Sequence, residues 1–323
     1  MRPIQHVYVA STTLALLLAG ACKKDEAAPT ATTPPPGDKQ EMKTPPPPPP
    51  GADAAAEKPK FTEVTGLQTP ESVLYLADQD VYLVSNINGE PAKADDNGFI
   101  SKVSPEGKIT EEKWIDGSKD DVKLNAPKGS GVRGGELYVA DIDTVRVFDL
   151  ATGKQKKDIP IKGAAFLNDI AVDADTVYVS DTGVGADFKP TGADAIYAID
   201  KGGKVKKLIA GADLKQPNGL LVVDGKLWVN TMGGKEIYRI DNGKKADVTE
   251  LPAGMLDGFA ALDDGRVAVS SWEGKAVFAG KPGDKFTAIV ENVESPADIT
   301  FDAKHKALLV PVMTTNTLRI YPL

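Results

Sequence analysis

The chain has 323 residues, 41% apolar and 26% charged, enough for one large core or two small ones. Its formal net charge is −8 and its lysines are scattered, which argues against a surface built for nucleic acid or for an anionic membrane. Two histidines, His6 and His305, and a single cysteine, Cys22, exclude an intramolecular disulfide and leave no material for a Ser-His-Asp triad or a multi-histidine zinc site in the folded part.

The first element is a processing segment. Residues 7 to 19 form an apolar run behind Arg2, too short for a permanent membrane span and suited to a secretory signal. Ala19-Gly20-Ala21 then precedes Cys22, a spacing similar to the lipobox of bacterial lipoproteins. Residues 1–21 are therefore read as a signal peptide, and Cys22 as the lipidation site that anchors an exported protein to the cell envelope. A free cysteine at a cleaved N-terminus is the alternative. Residues 22–60, rich in Pro, Ala, Lys and Asp and including a six-proline run, have almost nothing apolar to bury and read as a tether. Polyproline geometry of about 3.1 Å per residue would let it hold a domain up to ~100 Å from a membrane.

From residue 61 onward one unit recurs six times. Its openings are TPES (69–72), APKG (126–129), FLND (166–169), QPNG (216–219), MLDG (255–258) and SPAD (295–298). Each leads to a β-branched and aromatic run: DVYLVSN, ELYVADI, TVYVSDT, KLWVNTM, RVAVSSW and ALLVPVM. A third run and a more polar fourth follow, separated by glycine turns such as SPEGK and DKGGK. Four antiparallel strands at an average period of about 44 residues predict an all-β, six-bladed β-propeller over 61–323. The last unit has three strands, so the orphan FTEVTG (61–66) is expected to complete it as the outermost strand and close the ring.

In such a ring the openings share one channel mouth with the loops between second and third strands. The third residue of each opening then converges on the axis: Glu71, Lys128, Asn168, Asn218, Asp257 and Ala297. Asn and Asp in these turns also cap their own backbone, which accounts for any one column. Turn chemistry gives no reason for Glu71 or Lys128. Two carboxylates and two amides on one axis make an oxygen-rich cage for a hard divalent cation, calcium in preference to zinc. The two longest units place their extra residues at this mouth, at 86–98 and 182–194, as loops that serve ligands do. Asp141, Asp181 and Asn230 end second strands there and serve equally well as turn caps. Trp228, Trp272, Phe148 and Tyr238 fall on strand alternation and read as packing between blades, while His305 reads as an exposed hairpin residue.

The ordered motifs Pro-Glu-Ser, Leu-Asn-Asp, Pro-Asn-Gly and Leu-Asp-Gly, each opening a blade, resemble the senescence-marker-protein/gluconolactonase/regucalcin family of six-bladed propellers across residues 61–323. The resemblance implies divalent-metal ligation by Glu71, Asn218 and Asp257, substrate contact by Asn168, and Asp257 as the base in lactone hydrolysis. The chain departs from that family at Phe166, where its lactonases carry an arginine, and at Lys128, which would meet Glu71 or a substrate anion. A small-molecule ligand, membrane attachment only through the lipid anchor, and a monomer are expected. The alternatives are a non-catalytic ligand-binding propeller of the envelope and a surface protein that recruits a partner through the mouth loops.

Overall fold

The computed structural model describes residues 61–323; the expected signal peptide, Cys22 and the expected tether lie outside the described residues. Six four-stranded antiparallel sheets follow one another along the chain. Their innermost strands are Pro70–Leu76, Pro127–Arg133, Leu167–Val172, Pro217–Val223, Leu256–Ala261 and Thr300–Asp302. Each begins on the sequence opening that predicts it, except in blade 6, where only an isolated bridge, Pro296 to Val312, marks the opening. Among the described residues there is no α-helix, and only two single 3-10 turns occur, at Ala212–Leu214 and Met313–Thr315.

The ring closes as the sequence requires. Thr62–Val64 pairs antiparallel with the last strand, Thr317–Pro322, in the register Thr62 to Ile320 and Val64 to Leu318. The first strand therefore occupies the outer edge of the sixth sheet and covers backbone groups that would otherwise offer a pairing edge. Strand alternation places one face of each sheet against the next sheet, and the core divides accordingly into six apolar clusters. The cluster joining blades 6 and 1 holds Val64, Val73, Val84, Leu309 and Ile320, so the seam is packed like the other five interfaces. Burial of each such side chain contributes about 1.5–3 kcal/mol, and a ring whose every sheet has two neighbours loses an entire interface if the seam opens. Phe148, Trp228 and Tyr238 sit in these clusters, as alternation predicts.

The outer strands carry the lysines. KQKK enters Gln155–Pro160 and KVKK enters Val205–Ala210, each the last strand of its sheet. Charged edges of this kind discourage edge-to-edge association.

Candidate functional site

One backbone device places the site. At five of the six openings the register of the inner strand shifts by one residue against its partner, between Pro70 and Ser72, Pro127 and Ser130, Leu167 and Ile170, Pro217 and Leu220, and Leu256 and Phe259. These are β-bulges, which bend a strand end and re-aim a side chain. Glu71, Lys128, Asn168, Asn218 and Asp257 all fall within these shifts. All five line one pocket of about 490 Å³, measured out to its open mouth. The sixth member of the column, Ala297, is fully buried and supplies backbone instead, its carbonyl accepting from Ser270 Oγ at 2.8 Å.

The next residue in each opening forms a deeper tier: Ser72, Gly129, Asp169, Gly219, Gly258 and Asp298. Three of the six are glycine because the inner strands crowd here. A Cβ on Gly129 would stand 2.0 Å from Asp169 Oδ1, and one on Gly258 would stand 2.2 Å from the Ile299 nitrogen. Asp169 uses the space left at Gly129 to bridge blades, accepting from the backbone N–H of Leu220 and of Ile170, each at 2.6 Å. Asp298 accepts from Ser72 Oγ at 2.7 Å. Asp169 and Asp298 also line the channel beneath the pocket.

Three buried carboxylates, Glu71, Asp169 and Asp257, and the half-buried Asp298 thus share the hub with one ammonium. Burial pushes the carboxyl of Asp257 up to about 7, against the lowering pull of hydrogen bonds from Trp272 and Asn218. Asp169 is raised to about 6, again by burial. Burial first, and then the charges of neighbouring carboxylates, hold Glu71 and Asp298 well above the usual carboxylate range. Lys128 is pushed below its ordinary value by desolvation, which outweighs the attraction of Glu71 and Asp141. No ion pair joins Lys128 to Glu71. Its Nζ donates instead to the carbonyls of Pro91 (3.0 Å) and Ala126 (3.1 Å) and lies 4.3 Å from the centroid of the Phe166 ring. Phe166 therefore carries a cation on its face, delivered from the neighbouring blade, and the bond to Pro91 ties the 86–98 loop over the mouth.

A metal ion tests the donor set. Glu71 is 5% exposed, and its Oε2 has no hydrogen-bond partner. Asn218 spends its amide N–H on Leu256 O (3.3 Å) and Asp257 Oδ1 (3.4 Å), and its carbonyl oxygen accepts no hydrogen bond among the described residues. Unspent hard oxygen donors on Glu71 and Asn218, beside the Asp257 carboxylate, are what a calcium-type ion requires. Among the described residues no three His, Cys, Asp or Glu side chains cluster closely enough to hold a metal alone, so an ion here would need the amide oxygen as well.

A second ring forms the rim. In five blades the residue just after the second strand donates its backbone N–H to the residue that precedes the opening or begins it: Ile87 to Thr69, Thr182 to Phe166, Met232 to Gln216, Trp272 to Met255 and Met313 to Ser295. Four of these acceptors, Thr69, Gln216, Met255 and Ser295, hold positive φ of 43–55°, a left-handed backbone that side chains rarely adopt and that costs on the order of 1 kcal/mol apiece. Ile87, Met232, Trp272 and Met313 line the pocket, with Met255, Pro91, Leu256, Phe166 and Phe188. Thr182 donates to Pro217 O and accepts from Asn168 Nδ2 at 3.1 Å, fixing that amide.

The geometry sorts the sequence candidates. Glu71, Lys128, Asn168, Asn218 and Asp257 come together, whereas Cys22 lies outside the described residues. Asp141 and Asp181 act as caps: Asp141 accepts from Ala126 N at 2.8 Å and pairs with Arg146, and Asp181 accepts from Phe166 N at 2.9 Å. Asn230 accepts from Gly219 N and donates to Asp257 O at 2.6 Å, so it fixes two openings at once. His305 sits in the hairpin of blade 6, partly exposed, with Nδ1 2.7 Å from Asp302 Oδ2. Trp272 corrects the alternation reading. It is no packing residue between blades; it lines the pocket and donates Nε1–H to Asp257 Oδ2 at 2.8 Å. The signal for it was the column after the second strand, Ile87, Thr182, Met232, Trp272 and Met313, which repeats as regularly as the openings.

Comparison with known proteins supports the architecture. No protein-family model matches the chain, and no curated relative matches it in sequence. Solved structures do match. A gluconolactonase from Xanthomonas campestris is 18% identical, covers 84% of this chain and 93% of its own, and superposes with a TM-score of 0.61. A structural-genomics target described as a candidate gluconolactonase gives 17% identity, 81% and 92% coverage and a TM-score of 0.60. An inactive histidine-to-alanine variant of virginiamycin B lyase from Staphylococcus aureus, solved with quinupristin, gives 14% identity, 81% and 99% coverage and a TM-score of 0.55. At these identities the likeness establishes the shared propeller fold, with gluconolactonase propellers among its neighbours.

Proposed function

We propose that this chain is an exported, lipid-anchored propeller that hydrolyses a lactone or related ester at its channel mouth with the help of a divalent ion. The observation that carries this reading is the convergence of five polar side chains from five blades on one pocket, with a buried Glu71 oxygen left without a partner. Glu71, Asn218 and Asp257 would hold the ion, calcium by its preference for oxygen donors. Bound there, it would polarise a carbonyl and make water a better nucleophile.

The remaining work falls to the chain. Asp257, raised to about 7 by burial, sits where a carboxylate can take a proton from the attacking water near neutral pH. Its other contacts hold it in place: Trp272 fixes Oδ2, and Asn230 fixes its backbone carbonyl. Asn168, oriented by Thr182, can donate to the substrate. In the reaction the water oxygen bonds to the carbonyl carbon and the ring C–O bond breaks. The proton from water passes through Asp257 to the departing alkoxide, which leaves a hydroxy acid. The new carboxylate would lie near Lys128, whose ammonium is the hub's one positive group among the described residues.

Full-length protein with a panel of lactones tests the reading. Calcium should raise the melting temperature, Asp257→Ala should erase that rise, and Asp257→Asn with Glu71→Gln should abolish turnover. Hydrolysis that survives both changes would move the chemistry elsewhere. A non-catalytic binding propeller is favoured by Lys128, a buried ammonium lining the pocket that supports anion capture; ligand binding without turnover across the panel would establish it.

A further inference from the structure

We infer that the ligand of this mouth carries an apolar substituent, an alkyl or aryl group, on its ester or lactone ring, and that the rim selects against polyhydroxylated sugar lactones. The inference rests on the hydrolase reading for the reaction but not for the binding, which the rim decides by itself.

The pocket joins two chemistries, the polar side chains of the hub and an apolar wall that runs from buried Ile87, Phe166 and Leu256 out to exposed Phe188 and Met255. Its polar groups are the five bulge residues, and few of their bonds are open: Lys128 gives two of its three N–H groups to carbonyls, Asn168 gives one of two to Thr182, Asn218 gives its amide N–H groups to Leu256 and Asp257, and the open oxygens of Glu71 and Asn218 are those assigned to the ion. Nine apolar or aromatic side chains complete the lining. All three methionines of the described residues, Met232, Met255 and Met313, lie there, contributed by blades 4, 5 and 6. Thioethers are soft, unbranched and adaptable, suited to an apolar group of variable shape and poor as partners for hydroxyls.

Two of the rim residues are held out in solvent at a cost. Phe188 is 51% exposed and Met255 is 43% exposed, two of the four large hydrophobics so exposed among the described residues. Phe188 stands at the tip of a small hairpin within the 182–194 loop, closed by the Val184–Pro190 bridge and by the bond from Phe188 N to Gly185 O. Its backbone φ is 59° and that of Met255 is 50°, so both sit in a conformation that side chains avoid. The Phe188 ring lies 6.1 Å from Phe166, which extends the apolar wall from the floor to the outside. Exposed apolar surface kept in strained backbone over a pocket marks a surface meant to be covered by a ligand. A sugar lactone has a hydroxyl on nearly every carbon, and each hydroxyl buried against this wall would lack a partner.

The test uses the full chain with calcium and two substrate series: γ-lactones with alkyl substituents of increasing length, and glucono-δ-lactone. Binding is read separately from turnover with the matching alkyl lactams, which resist hydrolysis, by titration calorimetry. We expect kcat/KM and lactam affinity to rise about fourfold per methylene until the rim is filled. The sugar lactone should be the poorest substrate by at least a hundredfold. In Phe188→Ser with Met313→Ser the length dependence should flatten to less than twofold per methylene. Lactam affinity that rises with chain length while no lactone is hydrolysed would support the apolar selection and remove the hydrolase reading. A flat lactam series, or glucono-δ-lactone turned over as well as the alkyl lactones, would overturn the inference.

Discussion

Glu71→Gln separates what the hub carboxylates do for the fold from what they do for a ligand. Glu71 is almost fully buried, its Oε2 has no partner, and its carboxyl is held well above the ordinary value of 4.5 by desolvation and by Asp257, Asp298 and Asp169. A carboxyl raised in the folded state keeps a proton that the unfolded chain releases. Its unfavourable contribution is therefore absent below pH 4.5 and grows as pH rises toward the folded value. At pH 7 that contribution cannot exceed about 3–4 kcal/mol, because protonation at 1.36 kcal/mol per unit from 4.5 is always available. Gln avoids it with the same shape. Part of the gain is offset, since Lys128 loses an attractive neighbour while keeping two carbonyls and the Phe166 face. In chelator at pH 7 the variant should be more stable by about 1–2 kcal/mol, a few degrees in melting temperature, and the difference should vanish near pH 4. With calcium at a hundredfold excess over its Kd the parent should gain about 2.7 kcal/mol and the variant under 1. Scanning calorimetry at pH 4, 7 and 8, with chelator and with calcium, measures all of these. A variant less stable than the parent in chelator at pH 7 would refute the argument, because Glu71 and Lys128 would then be a net stabilising pair.

Calcium affinity should climb as pH rises from 5 through 7, because Asp257 and Glu71, both raised by burial, must lose their protons to bind; an affinity independent of pH in calorimetry from pH 5 to 8 would show that neither carboxylate is a ligand. Trp272→Phe removes the Nε1–H donor to Asp257 Oδ2, a bond to a charged acceptor of about 1.5–3 kcal/mol, and should move the midpoint of that pH dependence up by about one unit. An unmoved midpoint would return Trp272 to a packing role. Gly258→Ala sets a methyl 2.2 Å from Ile299 N and 2.7 Å from Asp298 Cα, both backbone, and should cost about 3 kcal/mol in denaturant unfolding, where a change under 1 kcal/mol would show that the hub can relax.

The repeat was legible because it is written in local chemistry. Period-2 alternation, β-branched content and glycine turns fix each strand, and six copies at near-equal spacing leave one closed arrangement, down to Thr62–Val64 pairing with Thr317–Pro322. The converging column was legible for the same reason: residues in register along a repeat come together when the ring closes. Trp272 escaped because strand alternation predicts facing only inside a strand. It stands one residue past Val267–Ser271, where its backbone bond to Met255 and its indole bond to Asp257 set its direction. The partner of Lys128 escaped for a related reason. Sequence offered Glu71 or a substrate anion, whereas the three-dimensional neighbours are two carbonyls and an aromatic face.

By itself the sequence determined the all-β class, the number of blades, the closing strand and which five side chains meet at the axis, since these follow from periodicity and chain connectivity. Only the tertiary structure decided which donors are already spent, which carboxylates are raised toward neutrality, and that an apolar wall stands beside the polar hub groups in one pocket. Those properties depend on burial and on contacts between residues tens to hundreds of positions apart, which no local pattern encodes.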